Sequence, residues 1–505
     1  MPVFVWFAAG LLVVAALVVL VIAPRVTPQR LWWGGLLALL TATALVLAAA
    51  PLQGRETVWH WQMPGALALQ WRLDARTWPW AVTALVMALV ISLTDAIRAE
   101  RGPAEGSGWA GVLLAGALAV PAVLAASPWA FGMFWALFDG AALVADLGRL
   151  SRARHRNTAI WVAFARALTW LAAGVTAVLW PDRLHEAMLL WFGVLAVRLW
   201  VATLEPGVMA ADVPPWRLTW AALHLWGVLA AAVWASTQVW TPPRALFGAL
   251  GGLALWGVWR WQRTRVPLRQ ITASGLALGS LALLTAARGL PAAAWAWSLL
   301  AVFPALGMAL MPYRAREVWV FAGLLVAGLT LWPLTPGSAA AALWRSPWHT
   351  WMLGPWLVLA GSLVALARQG AALQRPEEPL TREKRAFHVL GMTLWIATFW
   401  GWQFWPFAES VEVAPWVQWG AGGAALLVAA GMVWAARREY AGLERVGRAE
   451  AWLSKRMAQW TGFVFWKVYR SIGRFLRFLS LLLEGDGGVL WAWVLLAMLA
   501  VLLQR

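Results

Sequence analysis

The chain has 505 residues, of which 62% are hydrophobic and only 12% charged. A soluble domain carries roughly a quarter charged residues, so this composition excludes a soluble globular protein, and no polar stretch is long enough to form a separate domain. The formal charge of +18 falls mostly in loops between apolar runs, where Lys and Arg mark the cytoplasmic side of a membrane; it is read as topology and not as a nucleic-acid surface.

Apolar runs of about 20 residues, long enough to cross a bilayer as helix, repeat along the whole chain. Helices are predicted at 3–23, 31–50, 77–97, 108–126, 128–147, 158–180, 185–204, 216–236, 243–262, 268–288, 291–310, 315–333, 349–368, 385–405, 414–436 and 487–503. That makes about 16 and an all-α polytopic membrane protein. The first run has no basic residue before it and no small-residue cleavage site after it, so it is expected to be retained as a helix.

The loops orient the bundle. Arg149, Arg152, Arg154 and Arg156 follow the fifth run, Arg260, Arg263, Arg265 and Arg269 flank the end of the ninth, and Arg368, Arg375, Arg382, Lys384 and Arg385 follow the thirteenth. All three ends lie on one side, whereas the acidic loop "PFAESVEVAPW" lies on the other. Positive-inside then places the N-terminus outside a plasma membrane. Near the C-terminus, Trp452, Met457, Trp460, Phe463, Val468, Ile472, Phe475 and Leu479 recur at helical spacing among Lys455, Arg456, Lys467, Arg470, Arg474 and Arg477. This stretch is expected to be a basic amphipathic helix on the cytoplasmic interface, either bound to anionic lipid or strapping neighbouring helices or subunits. About 38 residues would span roughly 57 Å.

Two segments interrupt the pattern. The seventh run ends in "VATLEPGVMAADVPP", with Glu205 and Pro206; the twelfth ends in "LTLWPLTPGSAAA", with Pro333, Pro336 and Gly337. Proline removes a backbone donor and stops a helix. Interrupted segments at matching positions point to an inverted repeat, here helices 4–8 and 9–13; two unrelated loops are the alternative. The expected organisation is 1–107 (helices 1–3), 108–240 and 241–370 (the two five-helix units), 371–440 (helices 14–15), 441–486 (the amphipathic helix) and 487–505 (the last span).

Chemistry-bearing groups are sparse. The absence of cysteine excludes disulfides, Cys-ligated iron–sulfur clusters and thiol catalysis. Six His are scattered without ligand spacing, so no metal, haem or other cofactor is expected. The 44 Trp fit interface anchoring and packing.

Several stretches, in order, resemble the antiporter-like membrane subunits of respiratory complex I, the Mrp antiporters and the energy-converting hydrogenases. "GALALQWRLDARTWPWAVTALVMALVISLTD" resembles that family's short strand, Arg-x-Asp step (Arg72, Asp74) and third helix. "ASPWAFGMFWALFDGAALV" resembles its fifth helix, "LLWFGVLAVRLWVATLEP" its seventh, "RALFGALGGLALWGVWRW" its ninth, "VPLRQITASGLALGS" the loop into its tenth, and "AGLTLWPLTPGSAAA" its twelfth-helix break. The likeness runs over about residues 1–370. The extra helices resemble the longest member of the set, although the amphipathic helix here is much shorter.

The resemblance implies a bundle with two inverted five-helix repeats and a chain of intramembrane titratable groups carrying protons or Na⁺. Matched residue by residue, the family's fifth-helix Glu falls on Ala136, with Asp139 one turn on. Its seventh-helix Lys falls on Arg198, and its eighth-helix Lys or His near His224. These three are the proton-path candidates. Asp139 either handles protons or pairs structurally. Arg198 cannot relay by losing a proton, but can act as a fixed charge against which an ion pair switches. His224 either relays protons or packs. No Lys or His lies in the tenth and eleventh helices, and the charged residue after the twelfth-helix break falls near Ala341.

The implied function is a divergent antiporter-like subunit of an NADH-quinone oxidoreductase-like or related energy-coupling complex, with a partial proton path. Such a subunit would have no catalytic site of its own, would bind no quinone directly, and would have other membrane subunits and the lipid bilayer as partners. The alternatives are a polytopic glycosyltransferase or ligase, for which the extracytoplasmic loops are short, and a haem-handling assembly protein, for which "VWHWQ" (58–62) and His349 are faint signals.

Overall fold

The computed structural model describes residues 3–51, 56–62, 68–95, 106–149, 153–204, 214–264, 266–311, 316–344, 353–371, 381–404, 414–437, 470 and 474. Chain contacts divide it into residues 1–430 and 431–505. In the second unit the described residues are the end of the fifteenth helix and Arg470 and Arg474, both helical and exposed. The remainder of the predicted amphipathic helix, the predicted 487–503 span and His349 lie outside the described residues.

The first unit is built from α1 (Val3–Ile22), α2 (Pro28–Ala48), α3 (Trp78–Thr94), α4 (Gly106–Val123), α5 (Pro128–Arg149), α6 (Ala153–Leu179), α7 (Leu184–Ala202), α8 (Pro215–Ala235), α9 (Arg244–Arg263), α10 (Pro267–Ala287), α11 (Pro291–Ala309), α12 (Arg316–Gly328), α13 (Leu353–Ala371) and α14 (Arg382–Gly401). The fifteenth helix is α15 (Pro415–Arg437). Each matches a predicted run. Proline opens α2, α8, α10 and α11, where its missing N–H costs no intrahelical bond. Thr381 caps α14 by accepting from the Lys384 N–H at 3.4 Å.

Eight of the described helices are long and apolar enough to cross a bilayer, and the chain is a multi-pass membrane protein. Burial separates the bundle into layers. Every residue of α3 is buried, as is almost all of α10 and α11, and helices apolar on every side belong in such a position. The outer faces of α1, α2 and α6 expose Leu, Val and Ile side chains.

Among the described residues, one element falls outside the all-helical pattern. Thr57–Gln62 (β1) and Ala68–Leu73 (β2) form an antiparallel hairpin, with Trp59 opposite Trp71 and His60 opposite Gln70. Its second strand continues into pairing with the segment after α4, through Arg72 N–H to Leu124 O and Ala126 N–H to Gln70 O. Asp74 then turns the chain into α3. Its Oδ1 accepts from the backbone N–H groups of Arg76 and Thr77, and its Oδ2 pairs with Arg72 Nε at 2.6 Å.

The twelfth-helix break is present. At about 1.5 Å per residue, the 13 residues of α12 cover about 20 Å, short of the ~30 Å apolar core of a bilayer. Leu329–Gly337 is then non-helical, and a 3-10 segment, Ser338–Trp344, follows. Pro333 and Pro336 deny the donors that a helix needs here. Leu331 and Leu334 take left-handed φ values of 63° and 66°. A side chain at Gly337 would meet the Gly328 carbonyl oxygen at 2.9 Å, so only glycine lets the two strands of the break approach. At the other predicted break, α7 ends at Ala202 and Thr203 and Leu204 follow it; Glu205 and Pro206 lie outside the described residues.

Candidate functional site

Asp139, Arg198 and His224 come from three helices and meet in one buried cluster. Asp139 lies one turn beyond Trp135 on α5, so the carboxylate and the indole face α7 together. Arg198 fills that face: its Nη2 is 2.8 Å from Asp139 Oδ2 and its guanidinium carbon lies 4.4 Å from the centre of the Trp135 ring. The Arg198 side chain is fully buried. His224 of α8 places Nδ1 3.3 Å from the same Nη2 and 3.7 Å from Asp139 Oδ1. Because Arg198 has only donors, Nδ1 is assigned as the acceptor and Nε2 as the N–H. That Nε2 is buried and makes no hydrogen bond among the described residues.

Two further members come from α6. Arg166 Nη1 lies 3.5 Å from Asp139 Oδ1, and the Thr169 hydroxyl accepts from Arg198 Nη1 at 2.8 Å while donating to the Arg166 carbonyl at 2.6 Å. The residue-by-residue reading missed both. The signal was there: Arg166 is a lone charge inside the apolar run "WVAFARALTW", and a charge at membrane depth is expensive enough to need a partner. Asp139 thus serves two guanidiniums, in a setting where a buried charge must be paired.

The cluster has an open side and a closed side. A cavity of about 40 Å³ lies between α5, α6 and α8, lined by Phe138, Asp139, Ala163, Arg166, Arg217 and Trp220 among others. It lies toward the C-terminal half of α5 and the N-terminal turns of α8. On the other side, Phe131, Trp135, Trp191 and Trp234 pack ring against ring, with Trp135 and Trp191 stacked at 5.5 Å.

Among the described residues, α10–α13 hold no comparable cluster of ions. Ser280, Thr285, Ser298 and Ser362 each donate to the carbonyl four residues earlier, and Ser274 donates to the Ala301 carbonyl of α11. Ala341 is fully buried. Where α8 meets α11, Trp80, Trp226, Trp295 and Phe303 form a continuous aromatic seam. Two arginines hold the ends of the interrupted segments. Arg260 of α9 donates to the Thr203 hydroxyl and carbonyl at 3.0 and 3.2 Å. Arg288, just past α10, donates to the Leu343 carbonyl at 3.1 Å.

No family model matches the sequence, and no curated protein does. Solved structures do resemble it. A chain of respiratory complex I from Thermus thermophilus, solved with bound aureothin, superposes with a TM-score of 0.58 at 16% identity, covering 79% of this chain and 98% of that one. A chain of the membrane-bound sulfane sulfur reductase, an archaeal respiratory membrane complex, gives 0.56 at 15% identity, covering 77% and 74%. A chain of the Mrp complex from Dietzia sp. DQ12-45-1b gives 0.57 at 14% identity, covering 89% of this chain and 59% of that one. The chain shares its fold with these membrane-complex chains.

Proposed function

We propose that this chain is a divergent antiporter-like subunit of a larger membrane energy-coupling complex, in which one half keeps a water-accessible ion-pair site and the other has become packing. The observation that carries this reading is the joining of Asp139, Arg198 and His224 in one buried cluster, set against α10 and α11, whose described buried polar side chains are uncharged, Ser274, Ser280 and Ser298 among them donating to backbone carbonyls. In this reading α4–α8 and α9–α13 are the two inverted units. Asp139 is the group that exchanges a proton with the cavity, Arg198 is the fixed counter-charge, and His224 extends the polar path by one step. The aromatic seam between α8 and α11 ends that path, so the chain alone carries no proton across the bilayer. Its partners are other membrane subunits, and the cavity faces the cytoplasm.

The chain has no cysteine, which makes single-cysteine labelling a direct test. Ala142→Cys and Ala163→Cys, on the cavity wall, are expected to react with a membrane-impermeant thiol reagent from the cytoplasmic side only. Ala277→Cys and Ala301→Cys, fully buried in α10 and α11, are expected to stay unlabelled from both sides. Labelling of the second pair, or none of the first, would overturn the proposal.

A further inference from the structure

A second cavity lies at the other end of α8. Arg72, Asp74, Arg76, Trp80, Val233 and Trp234 are in its wall, and its volume is about 50 Å³, room for roughly four waters at ~10–15 Å³ each. Its rim is ionic: Arg72 Nε pairs with Asp74 Oδ2 at 2.6 Å and with Glu56 Oε1 at 3.0 Å. The cavity beside Asp139 includes Trp220, and Trp220 and Trp234 stand about 21 Å apart along α8, at ~1.5 Å per residue. In the orientation set by the loop charges, the second cavity faces outside.

Rings separate this outer cavity from the ion cluster. Trp234 meets Trp191 edge-on at 6.0 Å, and Trp191 stacks on Trp135 at 5.5 Å. Trp135 in turn carries the Arg198 guanidinium 4.4 Å from its ring centre, and Arg198 holds Asp139. The stack is loosely tied. The Trp135 N–H is buried and makes no hydrogen bond among the described residues. The Trp191 N–H reaches the Ala231 carbonyl at 3.5 Å, beyond the usual range of such a bond. The other aromatic wall of the outer cavity is pinned, because the Trp226 N–H donates to the Trp80 carbonyl at 3.0 Å. A buried indole N–H ordinarily has a partner, and parting rings that share no hydrogen bond leaves no donor newly stranded. The stack toward Asp139 is therefore the side that can open.

We propose that the outer cavity is a second aqueous mouth of the Asp139 site, and that Trp234, Trp191 and Trp135 form the gate that shuts it. The species admitted is water carrying a proton. An apolar constriction closes a path by excluding water, and a stack of indoles with no polar partner facing the path is such a constriction. Closed, as here, it keeps the chain from carrying protons by itself. Parted, it puts Asp139 within reach of the outside. The inference rests on the reading of Asp139 as the proton-exchanging group and adds a second side of access to it.

The test uses the full chain in liposomes that enclose a pH-sensitive dye, with an imposed proton gradient. The unaltered chain is expected to be as tight as empty liposomes. The double variant Trp191→Ala, Trp234→Ala is expected to pass protons roughly tenfold faster than the unaltered chain, and Trp234→Phe, which keeps a ring, to stay tight. Asp139→Asn added to the double variant is expected to abolish the leak, because the path runs through the carboxylate. If these variants do not fold, labelling at Gly227 decides the matter. Gly227 lies behind the stack, where a side chain would come 3.8 Å from Trp135 Nε1. Gly227→Cys is expected to resist a membrane-impermeant thiol reagent from outside, and to react with it once Trp234→Ala is added. Val233→Cys, on the outer cavity wall, is expected to react from outside with the stack intact. A tight double variant, a leak that survives Asp139→Asn, or reactivity at Gly227→Cys that ignores Trp234→Ala would each overturn the proposal. Labelling of Ala142→Cys and Ala163→Cys from the cytoplasmic side reads the inner cavity alone, so failure of the proposed function and failure of the outer mouth are told apart.

Discussion

Helices α5–α8 and helices α10–α13 solve the same problem in opposite ways. Both must bury polar groups at membrane depth. In α5–α8 they include ions held from other helices: Arg198 by Asp139 of α5 and Thr169 of α6, with His224 of α8 beside it. In α10–α13 they are mostly hydroxyls, and each returns its proton to a nearby backbone carbonyl. A group satisfied within its own helix makes no demand on its neighbours. An ion pair between helices fixes where those helices stand, and is costly to break because one charge is left alone.

The largest effect expected is therefore at the centre of the first region. Arg198→Met removes the guanidinium that serves Asp139, Thr169 and the Trp135 ring at once. It should destabilise the chain by about 3–5 kcal/mol, measured by unfolding in mild detergent. Ser298→Ala in the second region should cost under ~1 kcal/mol. Equal costs at the two positions would abolish the comparison.

The break in the second region depends on shape where the first region depends on charge. Gly422 of α15 lies against it, and a side chain there would run into the Thr330 carbonyl and the Trp332 ring. Gly422→Val is expected to cost about 1–3 kcal/mol by overpacking, read by the same unfolding measurement. The glycine could not have been singled out from the sequence, where it sits in "WGAGGAALL" among others with open space around them.

That limit recurs. The helix positions were legible because a bilayer demands runs of fixed length, and α1–α15 each fall on a predicted run. The hairpin was not legible from pattern, because Thr57–Gln62 is a short Trp-rich stretch whose pairing is set by distant residues such as Leu124. Asp139, Arg198 and His224 stood out as rare charges in apolar helices. Their meeting point did not, because 59 residues separate Asp139 from Arg198 and 26 separate Arg198 from His224. Arg166 is as conspicuous as Arg198 in its apolar run, but it falls on none of the positions that the resemblance matches.

The amide pair at the end of the second region gives a sharper contrast. Gln369 Nε2 donates to Gln270 Oε1 at 2.6 Å, joining α13 to α10. Gln369→Leu leaves the Gln270 oxygen without its donor and should cost about 1–2 kcal/mol. The double variant Gln270→Leu, Gln369→Leu should recover most of that loss, because replacing both partners by apolar groups is close to neutral. A double-mutant cycle measures this. If the double variant is as unstable as the sum of the two, the amides carry more than their mutual bond, and the second region is less plain than it looks.

The smallest effect tests whether the break holds strain. Leu334 has φ of 66° and is 79% exposed, so its side chain contributes little packing while its backbone sits in the left-handed region, which costs a non-glycine residue roughly 1–2 kcal/mol. Leu331, at 63°, is fully buried and confounds strain with packing. Glycine at position 334 would remove the steric penalty, against ~0.5–1 kcal/mol for its greater freedom in the unfolded chain. Leu334→Gly should thus raise stability by up to about 1 kcal/mol, and Leu334→Val, whose branched Cβ crowds the left-handed region further, should lower it. Pro333 and Pro336 explain this sign: they exclude a helical path between them, so the backbone at Leu334 is imposed by the chain and not chosen by the leucine. If Leu334→Gly is destabilising, the leucine makes contacts that outweigh its strain, and the break is held by its side chains.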